Sequence, residues 1–294
     1  MIRFAPLLIV VCVALAAPVE LDRCNGALSR GDYAAAARDA QAYLRLHPTS
    51  AAAHVVLARA QIGLSQPQSA LKELQSALKT EPANTDALYF LSKLAEVLGQ
   101  QQFMALATMA PDSARVHQLR GEGFAAQGKE QEAETEFAAA LERRPGTPAI
   151  LVDLGDLKRQ RMKYPEALEW YTKALEKAPD NYDAAFGAGV CHLHLQTPDK
   201  GAGMFRAALR LDPTSIPAKA ALGEALLESG HTAEAIPLLE EVAAFDPRLR
   251  RLQYLLLRAY KAEGRDADAA RAQARYRELT EQEEEQTGNP EAQP

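Results

Sequence analysis

Prolines recur at a fixed interval along this 294-residue chain. Pro48 and Pro82 stand 34 residues apart, and Pro145, Pro179, Pro213 and Pro247 follow one another at the same spacing. Pro82 and Pro145 stand 63 residues apart, one full period and a second shortened to 29. Proline cannot donate a backbone hydrogen bond, and its ring clashes with the preceding helical turn. Proline at this interval limits every regular element to less than one period, and a period of this size signals stacked supersecondary units. With proline at position 32, the chain divides into repeats at 17–50, 51–84, 85–113 (short), 114–147, 148–181, 182–215, 216–249 and 250–283.

Other columns keep the same phase. Position 20 is Ala36, Ala70, Ala133, Ala167, Gly201, Ala235 and Ala269 in the full-length repeats. Position 8 is small (Cys24, Ala58, Ser92, Gly121, Gly155, Gly189, Gly223) until Leu257. Position 24 is large in Leu74, Phe137, Tyr171, Phe205 and Leu239, and position 27 is apolar from Tyr43 to Tyr276. Glycines 31, 128, 230 and 264 mark a break at position 15. Positions 20, 24 and 27, spaced four and three apart, form one stripe on a helix. Each repeat therefore reads as two helices of about a dozen residues that approach closely at small side chains. Alanine supplies much of the 47% apolar content and favours helix over strand.

This register, small at 8, 20 and 27 with proline at 32, resembles the tetratricopeptide repeat family over nearly all of 17–280. The resemblance implies an all-α, right-handed α-solenoid whose first helices line a concave groove for protein or peptide partners. The aromatic often found at position 4 in the family is absent: Glu20, His54, Leu88, His117, Leu151, Ala185, Lys219 and Gln253 stand there. Repeat 85–113 is expected to lack most of its second helix, keeping only the stretch around Gln101–Met109, and to separate 17–113 from 114–280. Pro237, inside a second helix, is expected to kink it or delay its start.

The ends read differently. Arg3, an uncharged apolar run and small residues at Ala14 and Ala16 have the layout of a secretory signal over 1–16, cut after Ala16 or Ala17. The uncharged stretch 4–19 is short for a membrane-spanning helix of about 20 residues. Cleaved or kept as an N-terminal anchor, this segment places the rest of the chain outside the cytoplasm, secreted or periplasmic. Residues 281–294 carry five glutamates and no Lys or Arg, and read as an acidic disordered tail. The formal charge of −6 argues against a nucleic-acid partner.

No phosphate loop, dinucleotide fingerprint, zinc-protease helix, Cys-x-x-Cys pair or nucleophile elbow is present, so neither catalysis nor a cofactor is implied. Cys191 and His194, three apart, could share one face toward a metal, which makes a metal-binding or enzymatic role the minor alternative. The other reading is ordinary packing for Cys191 and a groove-lining His194. Cys24 and Cys191 read as two buried thiols.

The family touches ligands from first-helix positions 2, 5, 9, 12 and 13. Those positions, with the anchors among them, give a candidate groove of Arg59, Glu122, Asp156, Arg159, Phe186, His194, Glu224, Tyr254, Arg258 and Lys261. Asparagines of a carboxylate clamp are missing from it. Trp170 lies beside the core stripe. The leading expectation is a non-catalytic binding scaffold; a structural subunit of a cell-envelope assembly or export complex is the alternative.

Overall fold

The computed structural model describes residues 17–288, and all regular elements among them are α-helices. The chain divides into two compact units on either side of the Met109–Ala110 bond. The first holds α1 (Ala17–Ser29), α2 (Tyr33–Leu46), α3 (Ala51–Gly63), α4 (Pro67–Thr80) and α5 (Thr85–Met109). The second holds α6 (Ala114–Ala126), α7 (Glu130–Arg143), α8 (Pro148–Gln160), α9 (Tyr164–Lys177), α10 (Tyr182–His194), α11 (Pro198–Leu211), α12 (Ile216–Glu228), α13 (Thr232–Phe245), α14 (Arg250–Ala262) and α15 (Asp266–Gly288). In the second unit, odd and even helices pair as antiparallel hairpins, and each hairpin stacks on the next. Its first helices also touch one another directly, α6 to α8 to α10 to α12 to α14, whereas its second helices do not.

Helix boundaries follow from local chemistry. Ser50, Asn84, Asn181 and Ser215 at position 34, and Ser113 at the end of the short repeat, accept a hydrogen bond from the backbone N–H three residues on and so cap the next first helix. At position 15 the chain is left-handed in all seven full-length repeats: at Gly31, Gly128, Gly230 and Gly264, and also at Ser65, Met162 and Gln196. The following N–H reaches back five residues to a carbonyl of the first helix, from Asp32 to Ala27 through Arg265 to Tyr260. Such a bond closes the helix end, and glycine adopts it without steric cost.

The small and large columns meet. A Cβ added at Gly121, Gly155 or Gly189 would lie 2.6 Å from the ring of Phe137, Tyr171 or Phe205, each at position 24 of the same repeat. Tyr171 is also wedged against Gly187 of α10, so its ring lies between two glycines of successive repeats. Leu74, Phe137, Tyr171, Phe205 and Leu239 are all at most 1% exposed. In the last repeat the large Leu257 is buried at position 8, and position 24 is the half-buried polar Gln273.

Several expectations need correction. The stretch around Gln101–Met109 is helical but not a separate second helix; α5 runs unbroken for 25 residues. No cap or proline follows Gly99, and Gln100–Ala107 contains mostly good helix formers, so propagation costs less than a turn. The helix α13 starts at Thr232, ahead of Pro237, which therefore does not delay it. Residues 281–288 of the expected tail continue α15; 289–294 and the signal at 1–16 lie outside the described residues. No described helix is long and apolar enough to cross a membrane.

At position 4, polar bridges replace the family aromatic. His54 Nδ1 lies 2.7 Å from Glu73 and His117 Nδ1 2.6 Å from Glu136, each tying a first helix to its second. The glycine contacts generate a paired test. Gly187→Ala should lower stability by about 1–3 kcal/mol through overpacking against Tyr171. Gly203→Ala, where the added methyl meets open space within α11, should raise it by about 0.5–1 kcal/mol. Denaturant unfolding of both variants checks the pair.

Candidate partner-binding surface

Within the second unit, the row of touching first helices carries the polar side chains that the helical register places together. At the α6–α8 contact, Arg115 Nη1 donates to Gln118 Oε1 (2.6 Å), and Gln118 Nε2 donates to Asp153 Oδ2 (2.6 Å). Burial raises the Asp153 carboxyl to about 6; nearby Glu122 and Asp156 add to the rise, while Gln118 and Arg115 oppose it. Glu122 is raised as well, by desolvation against the pull of Arg115 and Gln118.

One turn along α8, the predicted Asp156 and Arg159 form a closed triangle with Tyr171. The tyrosine hydroxyl donates to Asp156 Oδ1 (2.7 Å), and Arg159 donates to that same oxygen (2.8 Å) and to the hydroxyl (3.0 Å). Burial and the Asp156 carboxylate push the Tyr171 hydroxyl above its ordinary range. Burial works against the Arg159 charge, but its bonds to Asp156 and Tyr171 outweigh that cost.

Phe186 of α10 stacks on Tyr182 (centroids 6.0 Å apart) and tilts against Phe205 (5.6 Å), half-buried. His194, at the end of α10, stacks flat on Tyr164 of α9 at 4.1 Å. Glu224 of α12 accepts an ion pair from Arg251 of α14. Tyr254 is 46% exposed, with the Arg258 guanidinium 5.8 Å from its ring centre and Lys261 exposed one turn further. Arg59 belongs to the first unit, where its guanidinium lies over Phe90 of α5 at 5.1 Å.

The structure thus links Asp156 to Arg159, and Tyr254 to Arg258. Sequence reasoning missed Arg115, Gln118, Asp153 and Arg251. Asp153 sits at position 6, outside the ligand columns, and its only signal was the three-residue spacing to Asp156. The side chains of 191–194 turn to different neighbours. Cys191 is buried beneath Tyr171, with its thiol pushed up to about 11 by desolvation, and His192 Nδ1 lies 2.9 Å from Thr197 Oγ1. Among the described residues no three potential ligands converge on a metal position. Cys24 and Cys191 are 1% and 0% exposed. Trp170 packs beside the α8–α9 core with Lys173 over its ring at 4.2 Å.

Two family models, both described as tetratricopeptide repeat, match residues 27–94, 152–216 and 196–256. The chain belongs to the tetratricopeptide repeat family. Proteins of this family are interaction scaffolds. Over 102 residues the chain is 29% identical to a probable UDP-N-acetylglucosamine–peptide N-acetylglucosaminyltransferase SPINDLY of Hordeum vulgare, covering 35% of this chain and only 11% of that enzyme. A MamA double mutant shares the fold at a TM-score of 0.55 and 17% identity, over 58% of this chain and 97% of that one. So does YrrB, described as a TPR protein with an unusual peptide-binding site, at 0.55 and 18% over 60% and 91%. At these identities the likeness is one of fold.

The raised Asp153 gives the surface a pH signature. Between its ordinary value of 3.8 and about 6, the folded protein holds a proton that the unfolded chain releases. Stability therefore falls as pH rises through that window, and the loss is complete above it. Asp153→Asn should be more stable than wild type at pH 7 by about 1 kcal/mol after allowance for solvent screening. That gain should disappear below about pH 4, as read by thermal unfolding across the range.

Proposed function

We propose that this tetratricopeptide repeat protein acts outside the cytoplasm as a non-catalytic scaffold, holding a protein or peptide segment along the inner helices of its second unit. The observation that carries the reading is the direct contact of five successive first helices, several of whose outward residues are already fixed to one another. Asp156, Arg159 and Tyr171 lock into a triangle, Gln118 ties α6 to α8, and Arg251 ties α14 to α12. Side chains held before the partner arrives lose little further entropy when it docks. Phe186 and Tyr254 supply the aromatic surface that anchors peptide contacts. The peptide-binding site described for YrrB supports this choice among scaffold roles. The SPINDLY match covers too little of that enzyme to carry its transfer chemistry here.

The extracytoplasmic placement rests on the charged start, apolar centre and Ala14–Ala16 of the first segment. Mass spectrometry of the protein from its native cell should find a mature N-terminus at Ala17 or Pro18 in the envelope or medium. A full-length chain confined to the cytoplasm would refute the placement. For the binding surface, a photoreactive benzophenone side chain at position 186 or 254 should crosslink the partner, while one at Glu142, on the second-helix side, should not. Capture from position 142 alone would move the binding site off the inner helices.

A further inference from the structure

The proposed scaffold has one segment whose electrostatics specify what it takes, and this inference rests on that binding role. On α14, Arg251, Tyr254, Arg258 and Lys261 follow at spacings of three, four and three, so they line one face over about 15 Å. The other cations of this helix and its flanks face carboxylates: Arg248 pairs with Asp246, Arg250 with Glu283, Arg251 with Glu224, and Arg265 with Asp268 and Glu240. Among the described residues, Arg258 and Lys261 have no such partner. Both are exposed, and the only neighbour fixing Arg258 is the ring of Tyr254.

Helix α14 carries four cations and no carboxylate of its own, and among the described residues only Arg250 and Arg251 are matched by carboxylates of other helices. Two like charges one turn apart repel each other, and an anion laid across them relieves that repulsion. An acidic ligand is drawn to this stripe. Tyr254, half exposed beside them, offers a flat apolar surface between charges.

We propose that the inner face of α14 binds an acidic peptide segment. Its carboxylates meet Arg258 and Lys261, and an apolar side chain rests on Tyr254.

The test pans a random peptide display library against the full chain and reads the sequences retained. Peptides enriched in Asp and Glu are expected, displaced by soluble poly-glutamate and not by poly-lysine. The charge-reversed Arg258→Glu/Lys261→Glu variant should bind them at least about tenfold more weakly, and the neutral Arg258→Gln/Lys261→Gln variant should fall between. Helix content and Tm should match wild type in both, since neither side chain is buried. If peptides are retained without acidic enrichment and bind both variants equally well, the acidic specificity is wrong while the scaffold role stands. If the wild-type chain retains no peptide at all, the scaffold role fails with it.

Discussion

The fold depends on a gap and a ring. Where a first helix lacks a side chain, at Gly121, Gly155 or Gly189, the second helix of the same repeat inserts Phe137, Tyr171 or Phe205. The missing Cβ sets how closely two helices approach, and the inserted ring fills what the approach leaves open, as close packing of interiors requires. Tyr171 extends the arrangement across a repeat boundary through Gly187, which joins hairpins into a stack. The inner row of first helices, and every side chain displayed on it, is positioned by these contacts.

Much of this was legible because a repeated structure states each constraint several times. Pro48, Ala70 and Tyr171 are each ambiguous alone; in phase with their counterparts they define helix end, close contact and filler. What the columns could not reveal was interaction between them. Asp153 sits at a position without a pattern, and its altered proton affinity arises from burial, against the pull of Gln118, a repeat away in sequence and 2.6 Å away in space. Lys158 is similar. It is buried at 8% exposure beside Glu130, Glu134 and Glu166, a set drawn from two other helices. The capping column at position 34 was present in the sequence but was obscured by mixed residue types, since Ser and Asn do the same work.

The corrections share a cause. A period predicts where an element should end, whereas a helix ends only where local chemistry stops it. At Gly99 the period called for a turn, but neither a left-handed residue nor a cap was supplied, and α5 continued. Conversely, Ser65, Met162 and Gln196 turn left-handed without glycine, because the repeat around them closes the same backbone bond. A side chain held in that conformation costs about 1 kcal/mol or more, which neighbouring packing must offset.

The large residue at position 8 of the last repeat has an evolutionary consequence. Across repeats 114–147, 148–181 and 182–215 one hairpin could be copied beside its neighbour by gene duplication, because each offers a glycine gap and an aromatic filler. The last repeat offers Leu257 and Gln273 in place of that pair. A hairpin spliced across that junction would set two bulky groups face to face, or leave a void. Array growth through unequal recombination is thereby confined to the interior of the gene, and the terminal hairpin is inherited as a single block.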